Sequence, residues 1–234
     1  MKKIPEELLV RLAIGAGLIE KIEDDYSYTA CRKEVIAAKY KLIDSCLLLN
    51  CESRRVKMHD LVREVALSIA NKEIVTVNTS NKNQMRMVEK GKNIKYLLCE
   101  GKSMNLFSSQ FDGSKLDILI VYLRDSGYVE VPNSFCENIA GLRVLHLSNI
   151  TYEKVTLSPQ SIQSLTNIRS LYLKGFILSD ISILGILQGL ETLELVRCAM
   201  DELPKEIAKL VKLKLLKLIH CDFERNNSYQ VIER

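Results

Sequence analysis

The chain has 234 residues, 47% of them hydrophobic and 26% charged, so it can bury a core in one or two domains and is not a disordered chain. No run approaches the roughly 20 apolar residues that span a bilayer, and the start MKKIPEELLV lacks a signal peptide's apolar core. The net charge is a modest +4, and the 7 cysteines are an odd number without a CxxC pair, which argues against a disulfide framework or zinc site and for a reduced, cytoplasmic protein.

Charge divides the chain. Residues 1–92 carry 17 Lys and Arg against 13 Asp and Glu, whereas residues 93–234 carry 16 of each. The basic part opens with IPEELLVRLAIGAGLI, where Pro5 suits a first helical position and two acids come directly after it. Leu8, Leu9, Leu12 and Ala16 form its apolar stripe, and Gly15 and Gly17 break it. CRKEVIAAKYKLIDSCLL predicts a second helix, with Val35, Ile36, the Lys39 stem, Leu42, Ile43 and Cys46 on one side. LLLN, the polar turn CESRR and VKM predict a hairpin. In the third helix, Met58, Leu61, Val62, Val65, Ala66, Ile69 and Ala70 recur at spacings of three and four. Helix, helix, hairpin, helix is compatible with a winged-helix domain over residues 1–72. Residues 73–93, polar apart from IVTV, predict a linker or an irregular entry into the second half of the chain.

From residue 94 the chain repeats. The pattern LxxLxL, with aliphatic substitutes, appears as IKYLLC, LDILIV, LRVLHL, IRSLYL, LETLEL and LKLLKL, at spacings of 22, 26, 26, 22 and 23 residues. That series matches the leucine-rich-repeat period of about 20–29. No single repeat can bury its aliphatic face alone, so neighbours must stack. Pro132, Pro159 and Pro204 are each followed three residues later by Phe135, Ile162 or Ile207, which predicts a short helical return path. Cys198 and Cys221 fall at the inward polar turn position of the repeat, a structural role. The expected architecture is therefore an α+β two-part chain, a winged-helix subdomain followed by an α/β leucine-rich-repeat solenoid of about six repeats over residues 94–234.

If the leucines face the core, alternation turns the other strand positions outward. The middle row is then Leu98, Ile120, His146, Tyr172, Glu194 and Lys217, and beside it run Tyr122, Lys174 and Val196. These are the candidate partner-binding residues. Six strands about 4.8 Å apart give a face of roughly 330 Å², well under the about 800 Å² per partner of a standard interface, so this face alone should hold a partner weakly. No constellation joins nucleophile, base and orienting group: His146 and His220 lack an acidic cluster, and the spacing of Cys51 and His59 implies no contact. No catalytic residue and no metal ligand is expected. On the residues alone, His59 and Asp60 stand at the head of the third helix, where either can cap it.

Three of these features together resemble one family. VKMHDLVREVALSIA looks like the MHD motif of plant NB-ARC immune receptors, the coiled-coil NBS-LRR class of disease-resistance proteins. IPEELLVRLAIGAGLI resembles the start of the same winged-helix unit, the second ARC subdomain, and leucine-rich repeats directly after it keep the family's order. The resemblance implies that His59 faces the phosphates of bound ADP, that Asp60 supports it, and that the pair is a latch holding the receptor off. A helix N-terminus favours a nearby anion and a carboxylate can orient an imidazole, which suits that role. The resemblance further implies plant defence as the setting, ADP or ATP as the family's cofactor, and protein partners for the repeats, including the receptor's own upstream nucleotide-binding domain. The family's Walker A loop lies upstream. GxxxxGK[ST] has no match in this sequence, so the chain is expected to be part of a receptor, not an enzyme, and to bind ADP weakly or not at all by itself. The alternative is a winged-helix DNA-binding protein with a leucine-rich-repeat interaction domain. It rests on Arg54, Arg55 and Lys57 in the wing, but its recognition helix offers only Lys39 and Lys41 and none of the Arg, Asn or Gln that read base edges.

Overall fold

The computed structural model describes residues 3–19, 27–70, 72–89, 93–101, 111–124, 131–151, 153, 155–225 and 227–232. A two-residue strand, β1 (Ile4–Pro5), leads into helix α1 (Glu6–Ala16). Glu6 and Glu7 occupy its first turn, where the helix dipole favours acids. It ends at Gly17, whose φ of 69° is the left-handed cap conformation open to glycine. Gly15 lies inside the helix rather than breaking it. Helix α2 (Tyr28–Asp44) is capped by Ser27, whose hydroxyl accepts the Ala30 N–H at 3.2 Å. Val10 and Ile14 of α1 pack on Cys31 and Val35 of α2. Two cations of α2 converge on the first turn of α1: Arg32 at 2.9 Å and Lys39 at 2.6 Å from the Glu6 carboxylate.

Strands β2 (Leu48–Cys51) and β3 (Arg55–Met58) form the expected hairpin, and β1 adds to its outer side to give the antiparallel order β1-β3-β2. Helix α3 (Asp60–Ile69) comes next. Its apolar stripe is real, yet α3 buries no residue; Leu61 and Ile69 are 70% and 79% exposed. The far end of α2 behaves likewise, with Leu42 exposed instead of packed.

The segment read as a linker contains structure. Strand β4 (Ile74–Asn78) pairs in parallel with β5 (Tyr96–Gly101), and helix α4 (Lys82–Glu89) returns between them. Its IVTV run is short for a recognisable repeat, but it supplies the first strand of the sheet. The LxxLxL segments then form β6 (Ile118–Leu123), β7 (Val144–Asn149), β9 (Ser170–Lys174), β11 (Thr192–Val196) and β13 (Leu215–Ile219), giving the parallel order β13-β11-β9-β7-β6-β5-β4. In β5 and β6 burial alternates strictly, as one inward and one outward face require.

The return path is only partly helical. Short strands β8 (Val155–Leu157), β10 (Phe176–Leu178), β12 (Ala199–Met200) and β14 (Asp222–Phe223) form a second parallel sheet. From residue 137 onwards, short 3₁₀ segments such as Pro159–Ser161 and Lys205–Lys209 lie on the return path, where too few residues remain for an α-helix. Phe135, Ile162 and Ile207 are buried, as the proline spacing implies. The Cys198 and Cys221 thiols donate to the carbonyls of Leu173 and Leu195 at 3.5 and 3.3 Å, stitching each turn to the preceding strand. Helix α5 (Ser228–Ile232) closes the described chain. Among the described residues, no helix is long and apolar enough to cross a membrane.

Candidate functional site

The strand register assembles the outward row as alternation implies. Leu98, Ile120, His146, Tyr172, Glu194 and Lys217 are successive cross-strand partners. Tyr122, Lys174 and Val196 lie in the adjoining row, with Ser148 between the first two. What alternation does not supply is the state of this face. Its centre is covered: α1 lies against β7 and β9, leaving His146 only 5% and Glu194 only 1% exposed.

Arg11 makes the contact. Its Nη1 donates to both Glu194 oxygens at 3.0 Å, and its guanidinium carbon stands 4.3 Å from the centre of the Tyr172 ring. His146 stacks on the other side of the row against Tyr172, with ring centres 4.2 Å apart and planes at 3°, and Tyr122 meets His146 edge-on at 5.4 Å. Lys217 adds a second cation 4.0 Å from Glu194. The face is thus an acid set among aromatic rings, and the helix brings the cation that neutralises it.

The surroundings fit that assignment. Burial, followed by the charges of Arg11 and Lys174, pushes the His146 imidazole down to about 3, so it stays neutral beside the ion pair. Burial also raises the Tyr122 and Tyr172 hydroxyls above their ordinary values. Gly15, one turn beyond Arg11, lets the helix approach: a Cβ there would lie 2.3 Å from the Val144 Cγ2 and 2.9 Å from the Ser170 Cβ. At the helix C-terminus, a Cβ on Gly17 would meet the guanidinium groups of Arg169 and Arg143, cations placed where the helix dipole is negative. Two polar atoms stay unmatched: among the described residues, Arg11 Nε and His146 Nδ1 are buried without a hydrogen-bond partner.

Arg11 and Gly15 escape a reading of the sequence by apolar periodicity, because a buried arginine and a helical glycine look like interruptions of the stripe. The available signal is their spacing. Glu7, Arg11 and Gly15 recur every four residues and so share one helix face.

His59 and Asp60 are exposed at the head of α3. His59 is its N-cap, with Nδ1 accepting the Leu61 N–H at 3.3 Å. Among the described residues, no group of three or more His, Cys, Asp and Glu could hold a metal.

No family model matches the chain. A probable disease resistance protein of Arabidopsis thaliana is 30% identical over 218 residues, which is 93% of this chain and 22% of that protein. A second, from the same plant, is 26% identical over 182 residues, 71% of this chain and 18% of its own length. The chain is a relative of plant disease-resistance proteins. It spans about a fifth of the length of these disease-resistance relatives. Among solved structures, it is similar to the leucine-rich-repeat ectodomain of the membrane receptor kinase GASSHO1/SCHENGEN3 of Arabidopsis thaliana in complex with Casparian strip integrity factor 2. That likeness has a TM-score of 0.43 and 24% identity over 56% of this chain and 16% of the receptor chain. It is also similar to the plant peptide hormone receptor RGFR1 in complex with RGF2, with a TM-score of 0.40 and 16% identity over 64% of this chain and 27% of that one.

Proposed function

We propose that this chain is the regulatory part of a plant disease-resistance receptor. In this reading residues 1–72 are a winged-helix subdomain with an MHD-type pair, residues 73–93 lead into the repeats, and residues 94–234 present a protein-interaction surface that holds the subdomain in place. The observation that carries it is the seating of α1 on the outward row of the sheet through Arg11 and Glu194. A buried ion pair is poor cement, since desolvation offsets most of its attraction, but it discriminates strongly against any other arrangement. Such a contact suits a joint with two defined states.

The ADP-reading role of His59 is supported by its placement. An imidazole that accepts at Nδ1 leaves Nε2 to donate to a phosphate oxygen. Asp60, in the first turn, suits the helix dipole and supports the helix start that holds His59. The phosphate cradle itself would come from a nucleotide-binding domain, so this chain alone holds ADP weakly. The protein acts as a switch and not as a catalyst, in the cytoplasm.

The test is calorimetric. Joined to a nucleotide-binding domain, the chain should bind ADP, and His59→Ala should weaken that binding about tenfold, the loss of one charge-assisted hydrogen bond. Unchanged affinity would remove His59 from the site. Tight stoichiometric binding of ADP to the chain by itself would contradict the division of labour.

A further inference from the structure

We propose that the cradle formed by Tyr122, His146, Tyr172 and Glu194 is a recognition site for a helical segment of a partner protein, one that presents an arginine and, four residues later, a small residue. This rests on the reading of the outward row as a protein-interaction surface and names what that surface takes. In the present state the chain's own α1 occupies the site in cis.

The occupant shows what the site requires. Arginine suits the site because one group must both reach the Glu194 carboxylate and lie over the Tyr172 ring, and a guanidinium does both. The small residue comes four residues later, where Gly15 leaves no space for a Cβ against Val144 and Ser170. Arginine and glycine therefore read two places on the sheet in register.

Two observations mark α1 as a replaceable occupant. His146 Nδ1 is buried without a partner among the described residues, so the cis helix leaves one polar atom of the site unused, and the helix's own Arg11 Nε is unmatched as well. And α1 is committed on its other side, where Val10 and Ile14 pack on α2, so it cannot shift to satisfy those atoms. A partner helix free of that second attachment can approach at the angle that uses them. Against it stands the tether, which presents α1 at an effective concentration in the millimolar range.

The experiment uses the intact chain with Arg11→Glu, which sets like charges against each other at Glu194, and with Arg11→Met as a neutral variant should the first fold poorly. The probe is a labelled synthetic peptide copying residues 4–18. Nuclear magnetic resonance of His146 comes first. If α1 is what buries the cradle, the imidazole should move from about 3 back towards its ordinary value of 6.5 in both variants. If it stays depressed in both, self-docking is wrong. With His146 released, the peptide should bind the variant, and at least tenfold more weakly to the parent chain, where the tethered helix competes. Replacing the peptide's arginine by lysine, or the glycine matching Gly15 by valine, should each weaken binding tenfold or more; all versions share the cost of forming a helix, so only the ratios matter. Absent binding, or equal binding of the lysine peptide, would overturn the proposal while leaving the self-docked state intact.

Discussion

Helices α1 and α3 belong to the same N-terminal unit and have opposite fates. The α3 stripe of Leu61, Val65 and Ile69 is the more regular, yet nothing covers it among the described residues. The α1 helix carries a buried arginine and a glycine on its outer face, and it is enclosed on two sides, by α2 and by the repeat sheet. Amphipathicity says that a face seeks an apolar neighbour, whereas an ion pair with stacked rings and a fitted glycine says which neighbour. The repeat sheet has chosen α1 by chemistry that apolar counting does not register.

The contrast can be broken with one residue type. Ile14→Ala in α1 should cost about 2–4 kcal/mol in urea unfolding, because Ile14 is fully buried and its truncation leaves a cavity. Ile69→Ala in α3 should stay within about 0.5 kcal/mol. Similar costs at both sites would mean that α3 is packed too. A smaller effect is expected from bulk on the sheet side: Gly15→Val should cost about 1–3 kcal/mol through overpacking against Val144, whereas Ser68→Val, exposed on α3, should cost about 0.5 kcal/mol or less. Equal tolerance of valine would separate α1 from the sheet.

Acid sharpens the comparison further. The neutral imidazole of His146 has its protonation pushed from 6.5 down to about 3 in the folded state. Between those values the unfolded chain binds a proton that the folded chain refuses, so stability is present above the ordinary value and is lost as pH falls through it. The loss approaches about 1.4 kcal/mol per pH unit. His146→Gln should flatten this slope between pH 6.5 and 4 relative to the parent; an unchanged slope would show that the ring is not shielded. The smallest stability change is expected on α3, where Leu61, Val65 and Ile69 replaced together by Ser should shift unfolding by under about 1 kcal/mol. The same change should reduce self-association in light scattering, since it removes the bare apolar stripe.

Much of the repeat is legible in the sequence, for a physical reason. LxxLxL sets three aliphatics on one face of a strand, and the period leaves only stacking as a way to bury them. The register of the Leu98-to-Lys217 row comes from alternation alone. Strand β4 escapes such a reading because its IVTV run stands by itself without a full repeat motif, and only the edge of β5 reveals it as part of the sheet. Leu42 and the α3 stripe mislead because periodicity cannot distinguish a buried face from a bare one. The covered centre of the outward row is not legible at all. It depends on a contact between Arg11 and Glu194, 183 residues apart, and no local pattern links them.

The central claim is that α1 sits on the sheet because Arg11 meets Glu194. Its most direct test is a charge exchange read by nuclear magnetic resonance, tracking the contact between Gly15 and the Val144 methyl group. The contact should be present in the parent chain, lost in Arg11→Glu and in Glu194→Arg, and restored when both replacements are combined. Persistence of the contact in both single variants, or its absence from the double variant while the repeat remains folded, would contradict the account.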